Sequence, residues 1–177
     1  MPSGRTHDAI TFFLAVPTAV ASYAVTLSVT SALVIGAAFL AGGLLFGPDL
    51  DTVSRQYTRW LFFKWLWFPY RHFFKHRSRF SHGLVLGALI RVIYFMGVLT
   101  ALSFTAVYIW AAYNGGKVPN LAEITHVWHT IGDFIRSHLG DHFMWFVFLG
   151  LWLGAASHTF TDLAGSFIKT GRIAKFL

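Results

Sequence analysis

The sequence predicts an all-α fold, an integral membrane bundle of about four transmembrane helices with interfacial amphipathic segments. Three observations predict it. Of 177 residues, 55% are hydrophobic and 18% aromatic but only 12% charged, more apolar surface than a soluble domain of this length buries. The apolar residues gather into stretches at least as long as the roughly 20-residue helix that crosses a hydrocarbon core. The basic residues lie mainly between those stretches among Trp, Phe and Tyr, as on a headgroup-facing surface. That placement assigns the formal charge of +7 to membrane lipid as partner and excludes nucleic acid.

Residues 9–48 carry no charge, enough for two spans at about 9–27 and 32–48, parted by the polar cluster Thr26, Ser28, Thr30 and Ser31. Pro17 is a tolerated kink. Ala19-Val20-Ala21 imitates a signal-peptide cleavage site, but the apolar run continues past it to Pro48, which predicts a retained span. Gly36, Ala37, Ala38, Ala41, Gly42 and Gly43 give the second helix a small face for close packing in lipid. Residues 55–81 mix seven Lys and Arg with Trp60, Trp65, Trp67 and Tyr70, an interfacial segment broken at Pro69. The third span, about 83–110, is interrupted only by Arg91, which must snorkel or pair inside the bundle, and Asn114-Gly115-Gly116 follows as a turn. Residues 120–142 place Leu121, Ile124, Trp128, Ile131 and Ile135 at helical spacing, a second interfacial helix. The fourth span is about 143–162, and the whole of 1–177 reads as a single membrane domain. The N-terminus, the 55–81 loop and the tail hold one, seven and three Lys and Arg, against only Lys117 and Arg136 on the other side. The positive-inside rule then makes the first set cytoplasmic.

The sequence has no cysteine, so any metal is held by His, Asp or Glu. Four short motifs contain half of such residues: Arg5-Thr6-His7-Asp8, Gly47-Pro48-Asp49-Leu50-Asp51, His76-Arg77-Ser78-Arg79-Phe80-Ser81-His82-Gly83, and Ser157-His158-Thr159-Phe160-Thr161-Asp162. With four alternating spans they all reach one membrane face. His158 and Asp162, four apart, share a helix face and can share an ion. Asp49 and Asp51 project alike from an extended segment, which Pro48 favours. His7 is the ligand of the first motif, with Asp8 capping the first helix. His76 and His82 return to one centre through a turn, Ser81 caps the third helix, and His72 is a weaker candidate. The expected metal ligands are thus His7, Asp49, Asp51, His76, His82, His158 and Asp162, and imidazole with carboxylate suits one or two divalent ions, zinc or manganese. Asp51, Arg77 and Arg79 are the expected catalytic groups, the arginines orienting an anion. His126, His129, His138 and His142 fall on the other face and read as interfacial histidines.

These motifs, in this order around four apolar spans, resemble a family of bacterial metal-binding integral membrane proteins, which implies a bacterial inner (plasma) membrane with the metal site on its cytoplasmic face. More distantly, the His, Asp-x-Asp, His-Arg-x-x-x-Ser-His and His-x-x-x-Asp pattern looks like the membrane-bound metal-dependent hydrolases, with the third-motif histidines set further apart here. That resemblance implies a metal-dependent hydrolase, and the headgroup level of the site implies a phosphorylated amphiphile as substrate. Two other classes compete: a noncatalytic structural or assembly protein with closed coordination, and a metal or proton transporter, which would bury ionisable groups near the midplane.

Overall fold

The computed structural model describes residues 3–76, 78–117 and 120–171, apart from the Arg79 side chain. Among them there is no strand. The α-helices are α1 (Gly4–Thr26), α2 (Val29–Leu44), α3 (Arg55–Thr58), α4 (Phe68–Phe73), α5 (Arg79–His82), α6 (Leu86–Tyr113), α7 (Leu121–Leu139) and α8 (Phe143–Thr170), with 3₁₀ turns at Pro48–Asp51 and Leu61–Trp67. Four stretches are long and apolar enough to cross a membrane: Gly4–Thr26, Val29–Asp51, Leu86–Tyr113 and Phe143–Thr170. Arg172 and Lys175, counted for orientation, lie outside the described residues. The chain divides into two compact units, one of the residues up to Val92 with those from Met144 onward, the other Ile93–Phe143.

In the first unit α1 begins earlier than its charges suggest. Ser3 is extended and its hydroxyl accepts the Thr6 N–H at 3.2 Å, so Ser3 and not Asp8 is the cap. Asp8 lies inside the helix, where its Oδ2 receives Arg55 Nη1 at 2.8 Å and Arg59 Nη2 at 2.6 Å. Leu27, at φ 50, ends α1 in the left-handed region, and the Ser28 hydroxyl caps α2 by accepting Ser31 N–H at 3.2 Å.

Glycine brings α2 and α8 to backbone contact. A Cβ on Gly150 would lie 2.5 Å from the Ile35 carbonyl oxygen. One on Gly154 would overlap the Phe39 carbonyl oxygen and lie 2.7 Å from Gly43 N, and one on Gly42 would overlap the Leu151 carbonyl oxygen. Small residues thus let the two helix backbones approach closely. On α2's other side, Gly43 admits Thr11, whose Cγ2 would be 2.5 Å from an added Cβ.

The segment after α2 closes that helix. Its last carbonyls, which have no partner within the helix, are taken by side chains: Gln56 Nε2 donates to Gly43 O at 2.6 Å, Arg59 Nη1 to Leu44 O at 3.1 Å and Trp60 Nε1 to Leu45 O at 3.1 Å. Trp67, fully buried, packs edge-on against Phe46, Trp60 and Tyr70 at centroid distances of 5.6, 5.3 and 5.7 Å. Pro69 sits in the first turn of α4, where its missing N–H costs nothing. Ser81 does not cap the third long helix: α5 is a separate turn, and the Ser81 hydroxyl donates to Lys75 O at 3.1 Å.

The second unit contains α7, opened by a capping box in which Asn120 and Glu123 exchange hydrogen bonds. Its apolar stripe, Ile124, Val127, Trp128 and Ile131, lines a cavity with Ser103, Phe104 and Val107 of α6. His126, His129 and His138 are exposed on α7.

Candidate metal centre

The site is built at the start of α1 and the end of α2 against the interior of α8, which continues to Thr170 rather than closing near residue 162, and His76 joins it from the segment between α4 and α5. His7 enters from the second turn of α1, Asp49 and Asp51 from the turn that closes α2, His82 from α5, and His158 and Asp162 from successive turns of α8. Pro48–Asp51 is a 3₁₀ turn, so the extended geometry expected for Asp49 and Asp51 does not occur. Proline at the turn's start fixes φ for it, and its three-residue period sends the two carboxylates apart.

Two triads result. His7, His158 and Asp162, all buried, have ligand atoms within 4.8 Å of one another, and so have Asp49, His76 and His82. In the first, His7 Nε2 lies 3.2 Å from Asp162 Oδ1, and the His7 and His158 rings stack at 3.7 Å. Asp49 joins the triads, its Oδ2 3.3 Å from His158 Nε2 and its Oδ1 3.5 Å from His82 Nε2. Asp51 stands behind the second triad, Oδ1 2.9 Å from His76 Nδ1 and Oδ2 3.5 Å from His82 Nδ1. The seven side chains chosen from the sequence therefore meet in one place. Arg77 and the Arg79 side chain lie outside the described residues, and His72 belongs to neither triad. No group of three ligand-type residues forms among the described residues of α7.

The donor set fits divalent cations. His7 Nδ1 and Asp51 Oδ2 are buried without a hydrogen-bond partner among the described residues, and such atoms are costly unless something else satisfies them. Three carboxylates also crowd there, an arrangement that cations neutralise. Among the described residues of this unit, Arg91 is a buried guanidinium, 2% exposed, whose Nη1 donates to Ser81 O at 2.5 Å. It faces the Tyr70 phenol, which burial pushes up from its ordinary pKa while Arg91 opposes the shift.

Gln56, missed in the sequence, is the partner that ties the site together. Besides capping Gly43, it accepts the Asp49 N–H on Oε1 at 3.2 Å, and its Nε2 lies 3.2 Å from His158 Nδ1. With the amide so turned, the ring proton sits on Nε2 and faces Asp49; binding a cation there requires that proton to leave and the Gln56 oxygen to turn toward Nδ1–H. Gly47 leaves the room, since a Cβ on it would overlap the Gln56 amide. A lone Gln in a basic aromatic segment gives no sign of this in sequence. Gln56→Leu should weaken metal binding about 10–100-fold, as loss of an outer partner does, with helix content retained by circular dichroism. Titration with zinc of the folded variant checks it.

Helices of membrane-crossing length that, with the turns beside them, gather histidine and aspartate into paired triads define a helical protein with a candidate cation site in its first unit. The chain belongs to the family described as "Uncharacterized metal-binding protein (DUF2227)", whose profile matches residues 2–172. An "Uncharacterized protein" of Aquifex aeolicus (strain VF5) is 31% identical over 135 residues, 76% of this chain and 91% of the relative. No solved structure matches the chain.

Proposed function

We propose that the protein is a divalent-metal hydrolase acting on the phosphoester of an amphiphile at the cytoplasmic face of the membrane. The observation that carries this reading is Asp49, one carboxylate with an oxygen toward each of two triads. His7, His158 and Asp162 would hold one ion and Asp49, His76 and His82 a second, zinc or manganese by donor type. When bound, such ions supply Lewis acidity and make water a nucleophile near neutral pH.

The chain's own groups do the rest. Asp51 holds the proton on His76 Nδ1 and orients the ring, as an outer carboxylate does for a metal-site histidine. His76 and Asp49, with side chains 40% and 27% exposed, form the open edge through which substrate enters. Arg77 and Arg79 are assigned to the phosphate. In the reaction the oxygen of water bonds to phosphorus, the ester P–O bond breaks, and the departing alkoxide takes the proton that water gives up.

Burial of His7, His82, His158 and Asp162 favours a second reading, a structural clasp that fixes the helix ends with every coordination position filled. Metal-replete protein in detergent should cleave a phosphomonoester or a phospholipid headgroup analogue, and chelation should stop it. Arg77→Ala with Arg79→Ala should lower kcat/KM while metal content stays. Absence of metal-dependent turnover across a phosphoester panel, together with closed coordination, would leave the clasp as the account.

A further inference from the structure

A groove of about 540 Å³ runs along the first unit beside the triad of His7, His158 and Asp162. On α1 its wall is Thr6, Ile10, Leu14 and Thr18, spaced four apart and so one stripe of the helix. On α8 it is Leu153, Ser157, Thr161 and Ile168, again one stripe, and Phe39 of α2 contributes from below. Each stripe adjoins the metal-ligand positions of its helix: Thr6 precedes His7, Ser157 precedes His158 and Thr161 precedes Asp162. One end of the groove therefore reaches the helix turns that carry His7, His158 and Asp162, whose side chains lie about 100° further round each helix and do not line it.

Its chemistry selects the occupant. The hydroxyls that line it are spent on their own helices: Thr18 Oγ1 donates to Leu14 O at 2.8 Å, Ser157 Oγ to Gly154 O at 2.7 Å and Thr161 Oγ1 to Ser157 O at 2.7 Å. Their protons are thus committed, and what faces the groove along most of its length is carbon. From His7 to Thr18 the helix rises roughly 16 Å, close to the ~15 Å depth of one leaflet's hydrocarbon. At the upper end the candidate cation site is complementary to a negative head, and Arg5 in the first turn of α1 is exposed.

We propose that this groove holds a single alkyl chain of an amphiphile, aligning its anionic phosphoester with the metal triads. For its head the proposal rests on the hydrolase reading; the chain site stands on the groove. The groove thus makes the substrate class a long-chain phosphate ester embedded in one leaflet.

The test uses the metal-replete full chain in detergent and a hexadecyl phosphate bearing a diazirine near the end of its alkyl chain. Peptide mapping after irradiation should place the label on Leu14, Thr18 or Leu153, at the deep end. Ile10→Trp and Ala164→Trp, which fill the groove from either wall, should lower that labelling at least about tenfold while bound metal stays constant, which shows that they fold. Val20→Trp, exposed and outside the groove, should leave labelling unchanged. Label spread evenly over the outer helix faces, or undiminished by both filling variants, overturns the proposal. So does oxidative cross-linking of Ala164→Cys to a second copy, which would make the groove a subunit interface. Groove labelling without turnover of any phosphoester keeps the chain site and removes the hydrolase; turnover with labelling indifferent to the fillers does the reverse.

Discussion

Asp49→Ala should empty both halves of the site. Every other ligand-type residue belongs to one triad or stands behind it, whereas the Asp49 oxygens face His158 at 3.3 Å and His82 at 3.5 Å. Its removal takes away a ligand and leaves the histidines around it in mutual proximity with less negative charge to hold a cation. Metal affinity should fall by more than the roughly 10–100-fold that loss of an outer partner causes, and metal-dependent activity should fall with it. Asp49→Asn, which keeps shape and gives up charge, should fall almost as far. His126→Ala, exposed on α7, should retain full metal content. Elemental analysis of folded, purified protein decides this: equal loss in all three variants would place the site elsewhere.

Gly154→Leu should be the most disruptive substitution outside the ligands. The Cβ would overlap the Phe39 carbonyl oxygen and approach Gly43 N at 2.7 Å, and both neighbours are helix backbone that cannot swing aside. α8 must then move away from α2, which separates His158 and Asp162 from Asp49. The expected cost reaches or exceeds the ~3 kcal/mol upper end of overpacking, with metal binding lost alongside. Gly97→Ala in α6 supplies the contrast, because an added Cβ there meets nothing within 4 Å. It should be neutral or stabilising by up to about 1 kcal/mol. Unfolding in mixed micelles, followed by circular dichroism, measures both.

The helical class and the membrane-length helices were legible because they depend on composition and on the length of uncharged runs, which tertiary contacts scarcely alter. The convergence of His7, Asp49, Asp51, His76, His82, His158 and Asp162 was legible for a related reason: the chemically distinctive residues flank or close the uncharged runs, and alternating spans return such positions to one level. What could not be read depends on contacts between distant segments. Asp8 looked like a helix cap because acidic residues favour helix starts, yet Ser3 had already capped α1 and Asp8 was free to bind Arg55 and Arg59. Asp49 and Asp51 were expected in an extended segment, but the side chains of Gln56, Arg59 and Trp60 satisfy the end of α2 and let a 3₁₀ turn follow at once. Gln56 reaches the Gly43 carbonyl, the Asp49 N–H and the His158 ring, and Arg91 the Ser81 carbonyl, and no periodicity marks such bonds.

The central claim is that one aspartate joins two cation sites. Crystals grown with zinc or manganese and measured at that metal's absorption edge test it most directly. The account predicts two anomalous peaks, one amid His7, His158 and Asp162 and the other amid Asp49, His76 and His82, with the Asp49 carboxylate touching both. A single peak enclosed by one triad with Asp49 turned away, or peaks only at the α7 histidines, would contradict it.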